Sequence, residues 1–307
     1  MLKTPVAVLI FNRPETTKRI LSSVFQARPE KLFVIADGPR TDTDDQGKCE
    51  AARSCVDDFD WQCDVVKNYS ESNLGCGLRP ASGIDWLFQQ VDRAIILEDD
   101  CLPEPSFFRF CEELLDRYRD EHRVAMISGN NFQLGKRRSE YSYYFSRYTH
   151  IWGWATWKRA WQNYDFQMRE WQKLRETRWL EDVLQNHSAA TFWQNTFDNV
   201  GNMRSVWDYQ WAFTCWLHDQ VAVLPQVNLV SNIGWGEAAT HTKDPNNPAA
   251  FLATFAMDFP LRHPSAITID READNFTFAT QFADRPATPF ARLRWRLSRA
   301  IRGDHTF

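Results

Sequence analysis

The stretch Ala94–Asp100, which reads AIILEDD, places three consecutive carboxylates directly behind four apolar residues. The apolar residues predict a buried β-strand, so that Glu98, Asp99 and Asp100 (the acidic cluster) leave its C-terminal tip. Three like charges this close together raise one another's pKa values unless a cation neutralises them. The stretch therefore predicts a site for a hard divalent ion, Mg²⁺ or Mn²⁺, with phosphate oxygens completing the coordination. The alternative is a solvated acidic turn after a strand.

The residues around this strand alternate between short apolar runs and amphipathic helical patterns. Strands are predicted at 6–11, 32–36, 65–67, 94–97 and 124–128, and helices are predicted to begin at Pro14 and Pro80. Such alternation is typical of an α/β domain in which a mostly parallel sheet is flanked by helices. Ligands of these sheets bind beyond the carboxyl ends of the strands. Because Arg13, Asp37 and the acidic cluster all follow strand ends, we expect them to share one site.

The composition excludes several classes of protein. The 307 residues include 36 basic and 40 acidic side chains, and the net charge of −4 gives no sign of a nucleic-acid partner. The N-terminus leads straight into the first predicted strand, and no apolar stretch reaches the roughly 18–20 residues of a membrane span, so neither a signal peptide nor an anchor is expected. Seven cysteines without a paired CxxC motif favour reduced thiols and a cytoplasmic location.

Aromatic residues are concentrated between positions 141 and 161. Trp152 and Trp154 are predicted to lie in an irregular stretch, separated by Gly153, which permits a close approach of the backbone. Adjacent aromatic rings suit stacking against the flat faces of sugars, whereas core packing is the alternative for each of them.

The C-terminal residues 290–302 form a distinct basic segment. They contain five Arg and no acidic residue, with apolar side chains on one helical face. Basic amphipathic segments that carry a Trp suit the anionic inner leaflet of a membrane. A terminal helix that docks on its own domain is the alternative.

Taken together, these features resemble the GT-A nucleotide-sugar glycosyltransferases, in which an acidic DxD or EDD motif binds a metal ion. The acidic cluster is similar to that motif, and the inverting N-acetylglucosaminyltransferase that initiates complex N-glycans is the comparison for three later stretches. Residues 151–154 (IWGW) resemble its acceptor-side Gly-Trp stretch, residues 206–211 (VWDYQW) its Trp-Asp segment, and residues 239–241 (ATH) its late loop with a His. The chain also resembles bacterial nucleotide-diphospho-sugar transferases of the hemolytic-protein-like type.

The resemblance implies a GT-A fold, whose nucleotide-binding half abuts an acceptor-binding half. Residues 1–125 would form the nucleotide-sugar-binding half, residues 126–285 the acceptor-binding and catalytic half of the same domain, and residues 286–307 the basic tail. Asp100 would bind the divalent ion between the two donor phosphates. Asp99 and Glu98 would hold the ribose, the donor sugar or the waters of the metal.

The same resemblance assigns residues to the nucleotide. Arg13 and Asp37 would hold it, with the carboxylate of Asp37 accepting the imide N–H of the base. Arg79 would lie near the nucleotide or its phosphates, and a solvated charge at a helix end is the alternative. His241 would be a second metal ligand, and an exposed loop His is the alternative.

On the acceptor side, the resemblance makes Asp208 the general base that removes the proton of the attacking hydroxyl. Its neighbours Trp207, Tyr209 and Trp211 would raise its pKa towards a useful range. A single displacement assisted by such a base inverts the anomeric carbon, and Trp152 and Trp154 would contact the acceptor. The alternative for Asp208 is a surface or helix-capping carboxylate.

Asp165 and Asp182 are the competing candidates for the base. The resemblance thus predicts a cytoplasmic, metal-dependent inverting glycosyltransferase that uses a nucleotide-diphosphate sugar, with UDP expected. Its acceptor would be a glycan or a lipid-linked sugar in cell-surface polysaccharide or glycolipid synthesis, reached from the inner face of the membrane. A sugar-1-phosphate nucleotidyltransferase is one alternative, although residues 11–15 (FNRPE) lack the Gly-rich phosphate loop it needs. A non-catalytic nucleotide- or sugar-binding protein is the other.

Overall fold

The computed structural model describes residues 1–41, 43–57, 62–200, 206–236, 249–250 and 252–283. Within these residues the strands are β1 Val6–Ile10, β2 Lys31–Ala36, β3 Asp64–Tyr69, β4 Arg93–Glu98, β5 Cys101–Pro103, β6 Val124–Ser128, β7 Tyr143–Ser146, β8 Trp154–Trp157, β9 Val221–Pro225 and β10 Val230–Asn232. The α-helices are α1 Pro14–Ala27, α2 Asp45–Ser54, α3 Gly75–Leu87, α4 Ser106–Arg117, α5 Lys158–Trp161, α6 Trp171–Leu174, α7 Trp179–Leu184, α8 His187–Val200, α9 Asp208–Leu217 and α10 Arg271–Thr277. A π-helical turn, Phe278–Phe282, continues from α10.

In the described part of the chain, eight strands form one sheet in the order β3-β2-β1-β4-β8-β6-β9-β7. β1 pairs in parallel with β2 and β4, β2 with β3, and β6 with β9. β8 runs antiparallel between β4 and β6, and β7 runs antiparallel to β9, so the other six strands share one direction. β5 and β10 form a separate antiparallel pair. The predicted fold class, α/β with a mostly parallel sheet flanked by helices, is confirmed.

Alternate residues of the central strands face two apolar cores. Ala7 and Leu9 of β1 belong to the core that includes α3, α8 and α9. Val6, Val8 and Ile10 of the same strand belong to the core that includes α1 and α4. Since successive side chains of a strand point to opposite faces, this division places helices on both sides of the sheet. With both faces covered, the ends of the strands are where polar side chains gather.

The strands predicted at 6–11, 32–36, 65–67, 94–97 and 124–128 are present as β1, β2, β3, β4 and β6, and α1 begins at Pro14 as predicted. The helix predicted to begin at Pro80 instead begins at Gly75, with Pro80 inside α3. The reason is a tertiary contact: the carboxylate of Asp37 accepts hydrogen bonds from the backbone N–H groups of Leu74 and Gly75, each 2.9 Å long. These bonds satisfy N–H groups at the start of the helix, where no intrahelical acceptor exists.

Two further predictions of secondary structure are corrected. The aromatic stretch 141–161 contains β7 and β8, and Trp154 is the first residue of β8 rather than part of an irregular loop. The residues 171–199, predicted as helical, are divided among α6, α7 and α8. Gln185 ends α7 with a left-handed backbone, at a φ of 49°, which interrupts the helix although the apolar periodicity continues.

The last described α-helix, α10, is tied to the edge strand β7 through a buried carboxylate. Asp274 accepts a hydrogen bond from the hydroxyl of Ser146 and another, 3.1 Å long, from the backbone N–H of Arg147. Burial raises the pKa of Asp274 to about 6, although both hydrogen bonds act in the opposite direction. The folded protein therefore holds a proton at this carboxylate more tightly than the unfolded chain does.

This raised pKa predicts a pH-dependent stability that Asp274→Asn removes. The stabilisation from the protonated carboxyl is complete below its ordinary pKa of 3.8 and is lost as the pH rises through about 6. A shift of about two pKa units corresponds to about 3 kcal/mol of unfolding free energy. Between pH 4 and pH 7 the free energy of unfolding of the variant, measured with urea, is expected to gain about this much relative to the wild type. If the free energies of unfolding of the two proteins changed with pH in the same way, the raised pKa of Asp274 would be contradicted.

Two predicted features lie outside the described residues, namely the metal ligand His241 and the basic segment 290–302. In the ranges that the structure does describe, no helix combines the length and the apolar character needed to cross a bilayer.

Candidate functional site

The acidic cluster lies at the carboxyl end of β4, beside the end of β1. Asp99 and Asp100 are both buried, and the backbone N–H of Phe11 donates a hydrogen bond of 3.1 Å to Asp99 Oδ2. Arg13, which follows β1, has its Nη1 atom 2.7 Å from Asp100 Oδ2 and 3.6 Å from Asp99 Oδ1. The parallel pairing of β1 with β4 brings these groups together, so Arg13 neutralises part of the charge of the acidic cluster. Its predicted contact with a nucleotide stays a prediction.

Burial and mutual repulsion disfavour the charged forms of Glu98 and Asp99 in the acidic cluster. Burial, followed by repulsion from Asp100, Asp99 and Asp208, raises the pKa of Glu98 well above its usual value. Burial and the charge of Asp100 raise the pKa of Asp99 to about 7, while Arg13 acts in the opposite direction. Glu98 Oε1 is buried and accepts no hydrogen bond from the described residues. A cation or a hydrogen-bond donor from a ligand would stabilise the charged forms of these carboxylates.

The donor atoms of the acidic cluster suit a hard divalent ion, because Mg²⁺ and Mn²⁺ prefer carboxylate oxygens. Across the described residues, however, no three His, Cys, Asp or Glu side chains converge into a ready-made metal site. Mg²⁺ in proteins usually binds through one or two carboxylates together with substrate phosphates.

The small sheet of β5 and β10 fixes the position of Asp100. The backbone N–H of Ile233 donates to the carbonyl oxygen of Asp100 at 2.8 Å, and Asn232 Nδ2 lies 3.4 Å from its Oδ1. A Cβ atom at Gly234 would lie 2.3 Å from Asp100 Oδ2, so only glycine lets the loop pass this carboxylate so closely. Sequence reasoning missed Asn232 and Gly234 individually, and the signal was the polar, Gly-containing loop that follows β10.

The predicted nucleotide residue Asp37 lies at the carboxyl end of β2 and is buried. Its Oδ1 accepts from the N–H groups of Gly38 and Leu74, and its Oδ2 accepts from Asn73 Nδ2 and from the N–H of Gly75. Both oxygens are thus engaged in holding the loop and the start of α3. The predicted contact of this carboxylate with a base would have to displace one of these donors, and it stays a prediction.

Arg79 also lies near this edge of the sheet, but it is buried inside the fold. Its guanidinium donates to the carbonyl oxygen of Ala36 at 3.1 Å and to both the carbonyl and the side-chain oxygen of Asn68 at 2.6 Å. These bonds connect α3 to β2 and β3. The alternative of a solvated charge at a helix end is therefore wrong, while the predicted contact with the donor stays untested.

A pocket of about 310 Å³ lies between α8, α9 and the residues that precede β8. Asp208, the first residue of α9, and Trp152 both line it, so the structure brings together two residues predicted for the acceptor side. The first turn of a helix is a favourable position for a carboxylate. Tyr209 and Trp235 add further aromatic surface to the pocket.

Trp154 does not share this pocket. Its side chain is 0% exposed, and its ring stacks on that of Trp207 with centroids 5.7 Å apart. A ring without an exposed face has no surface to offer a sugar, so the predicted acceptor contact of Trp154 does not agree with its position. Gly153 separates the two tryptophans with a left-handed backbone at a φ of 65°, and a Cβ there would lie 2.7 Å from Val230.

The pocket and the acidic cluster are neighbours. The charge of Asp208 is among the causes that raise the pKa of Glu98, so the two carboxylates lie within electrostatic reach of each other. The competing candidates Asp165 and Asp182 do not line the pocket. Asp165 binds the side chain and the backbone N–H of Arg169, and Asp182 is exposed. The geometry therefore favours Asp208 over both of them.

Sequence reasoning also missed His150, which lies in the wall of the pocket. Its ring is only 6% exposed, and its Nε2 atom has no hydrogen-bond partner among the described residues. The signal was present in the stretch His150–Trp154, where a polar imidazole precedes two tryptophans predicted to contact a ligand.

No protein-family model matches the chain, and no curated protein sequence matches it. Among solved structures, mouse xyloside xylosyltransferase 1 is similar over 69% of this chain and 81% of its own, at 13% identity and a TM-score of 0.35. A mannosyltransferase from Pyrobaculum calidifontis, in complex with GDP-Man and Mn²⁺, is similar over 50% of this chain and 44% of its own, at 14% identity and a TM-score of 0.35. An apo UDP-glucose pyrophosphorylase is similar over 74% of this chain and 93% of its own, at 8% identity and a TM-score of 0.37. Similarities this low assign neither a family nor an activity, so the function has to follow from the residues of the site.

Proposed function

We propose that the protein is an inverting glycosyltransferase of the GT-A type, which moves a sugar from a nucleotide diphosphate to an acceptor hydroxyl. The observation that carries the proposal is the position of Asp208, which lines an aromatic pocket and lies within electrostatic reach of Glu98. A group transfer requires that the two substrates meet in a fixed orientation. A pocket lined by the carboxylate of Asp208, which acts electrostatically on Glu98 of the acidic cluster, is suited to this requirement.

In the proposed reaction, the acceptor hydroxyl attacks the anomeric carbon while the bond from that carbon to the diphosphate oxygen breaks. The carboxylate of Asp208 takes the hydroxyl proton as the new glycosidic bond forms. The nucleotide diphosphate leaves with the electron pair of the broken bond. Because attack and departure occur on opposite faces of the anomeric carbon, the configuration inverts and no covalent enzyme intermediate is needed.

The donor is proposed to bind at the carboxyl ends of β1, β2 and β4. Arg13 supplies a positive charge beside the acidic cluster, and Asp99 and Glu98 offer acceptors for the hydroxyls of the ribose or of the donor sugar. Asp37 holds the loop before α3, and Arg79 connects α3 to β2 and β3. Both residues are proposed to shape the nucleotide site in this way. UDP is the expected nucleotide.

A divalent ion, Mn²⁺ or Mg²⁺, is proposed to bind at Asp100, with His241 as a further candidate ligand. When bound, such an ion acts as a Lewis acid that stabilises the negative charge of the departing diphosphate. The protein holds Asp100 in place through the contacts from Ile233 and Asn232.

The acceptor is proposed to be a glycan or a lipid-linked sugar, as in the synthesis of surface polysaccharides or glycolipids. Residues 290–302 are proposed to hold the protein at an anionic membrane surface, where lipid-linked acceptors reside.

A panel of nucleotide sugars tests this proposal. Thermal unfolding is measured with UDP-, GDP-, CMP- and dTDP-sugars, each with and without Mn²⁺, and UDP-sugars with Mn²⁺ are expected to raise the Tm most. A ligand at 100 times its Kd stabilises the folded state by about 2.7 kcal/mol. A shift of equal size without Mn²⁺ would contradict the metal site, and no shift with any sugar nucleotide would contradict the function. Binding without release of UDP from the donor would support the non-catalytic alternative.

A further inference from the structure

The pocket that contains Asp208 has the size of a site for one small ligand. Its volume of about 310 Å³ lies at the lower end of the roughly 300–1,000 Å³ typical of ligand pockets. Aromatic side chains supply much of its wall, among them Phe132, Trp152, Tyr209 and Trp235. Such rings suit a ligand with flat apolar faces.

The charges of the pocket restrict what it binds. Among the described residues that line it, Asp208 carries the only formal charge at neutral pH, and there is neither a Lys nor an Arg. Among these described residues a phosphate would find no cation, and the carboxylate of Asp208 would repel an anionic ligand. Burial lowers the pKa of His150 to about 3, so this ring is also neutral.

His150 is held rigidly in the wall. The hydroxyl of Ser128 donates a hydrogen bond of 2.7 Å to its carbonyl oxygen. Its ring meets Phe132 edge-on at 4.5 Å between centroids and lies parallel to Tyr148 at 6.3 Å. These contacts fix the direction of the imidazole, whose Nε2 atom is buried without a partner among the described residues. Buried polar atoms are nearly always hydrogen-bonded, so this nitrogen is a candidate partner for a polar group of a ligand.

Trp235 provides a second unpaired group in the same wall. Its Nε1 atom is buried and has no acceptor among the described residues, and its ring stands edge-on to Trp152 at 6.0 Å. An indole nitrogen donates only, whereas a neutral imidazole nitrogen either donates or accepts. Hydroxyl groups, which both donate and accept, pair with either atom.

We propose that this pocket binds an uncharged pyranose of the acceptor, with His150 Nε2 hydrogen-bonded to one sugar hydroxyl and Trp235 Nε1 to another. The inference rests on the proposed function for the role of that sugar as an acceptor, but the binding itself does not require turnover. His150 is thus a specificity-determining residue: it recognises a hydroxyl, and Asp208 excludes uronic acids and phosphosugars.

Two variants separate the imidazole nitrogen from the packing of the ring. His150→Phe keeps a flat ring between Phe132 and Tyr148 but removes Nε2, whereas His150→Gln keeps a polar group at a similar distance from the backbone. The exposed His218 offers a matched control in His218→Gln. Binding of methyl β-glucoside, methyl β-galactoside, methyl β-N-acetylglucosaminide and methyl β-glucuronide is followed by saturation-transfer NMR, and UDP binding by calorimetry.

At least one neutral glycoside is expected to bind the wild type, and the glucuronide is expected to bind at least tenfold more weakly. His150→Phe is expected to weaken the binding of the neutral glycoside by about 3- to 10-fold, which is the effect of losing one neutral hydrogen bond. His150→Gln is expected to restore most of the affinity, and His218→Gln to change nothing. UDP affinity is expected to be the same in all four proteins.

Three results would overturn the inference: no binding of any neutral glycoside, equal binding of the glucuronide, or undiminished binding by His150→Phe. The comparison of neutral and anionic glycosides uses the wild type alone and does not depend on the folding of any variant. A protein that binds glycosides through His150 but releases no UDP from any donor would keep this inference and reject the transferase. If the protein transfers sugar and the acceptor KM is the same in the wild type and in His150→Phe, the transferase is supported and the inference about His150 is rejected.

Discussion

Asp208→Asn is expected to leave the binding of the nucleotide sugar intact and to slow sugar transfer by about 10²- to 10⁴-fold, the usual contribution of a general base. An amide has almost the same shape as a carboxylate but cannot take a proton at neutral pH. The residue is only partly buried at the start of α9, and the neighbouring Trp207 ring, which packs on Trp154, is not altered. The loss should therefore appear in kcat rather than in folding or in donor affinity.

Asp165→Asn is the matched control, because Asp165 is also a partly buried carboxylate and is a competing candidate for the base. Its carboxylate is occupied by Arg169, with Nε at 3.0 Å. The measurement is the release of UDP from the donor that gives the largest thermal shift, with and without an acceptor glycoside. Asp208 would be rejected as the base if Asp208→Asn transferred sugar at the wild-type rate. A loss of transfer in Asp165→Asn or in Asp182→Asn would then identify the residue changed in that variant as the base.

The parallel half of the fold is readable from the sequence because its strands are buried on both faces. β1, β2 and β4 are therefore nearly continuous apolar runs that end abruptly in polar residues, which marks both their location and their direction. Helix α1 is equally clear, since Pro14 stands at its first turn and Ile20, Leu21 and Val24 recur on one face.

The antiparallel half is not readable in the same way. β7 and β8 are only four residues long and lie within the longer aromatic stretch 141–161, so the aromatic pattern does not mark where either strand begins or ends. β8 is identified only by its partners β4 and β6, which are separated from it in sequence by dozens of residues. The start of α3 was misplaced for the same reason, since its hydrogen-bond acceptor is Asp37.

The location of the candidate site was predictable, but its internal pairing was not. Polar residues after buried strands had to gather at one edge of the sheet, and Arg13 and the acidic cluster do so. That Arg13 pairs with Asp100 follows from the register of β1 and β4, which the sequence does not display. His150 was hidden because a single neutral His in an aromatic stretch becomes noticeable only when its nitrogen is seen to lack a partner.

Asp100→Asn is expected to abolish the part of UDP binding that depends on Mn²⁺. Removing a carboxylate ligand should weaken the metal complex by more than the roughly 10- to 100-fold that the loss of an outer-shell partner costs. The amide keeps the shape of the side chain, which passes so close to Gly234 that a Cβ there would lie 2.3 Å from Asp100 Oδ2. Arg13 retains Asp99 as an ionic partner at 3.6 Å, so the loop after β1 is expected to stay in place.

Calorimetric titration of UDP with and without Mn²⁺ measures this effect, and Asp274→Asn serves as the control for loss of a buried carboxylate elsewhere in the fold. In the wild type and in the control, Mn²⁺ is expected to increase UDP affinity by the same factor. In Asp100→Asn, UDP should bind with the same affinity with and without Mn²⁺, because the carboxylate that binds the ion is missing. An undiminished effect of Mn²⁺ in this variant would reject Asp100 as a metal ligand, and would leave the strained charges of Glu98 and Asp99 to be neutralised by the donor alone.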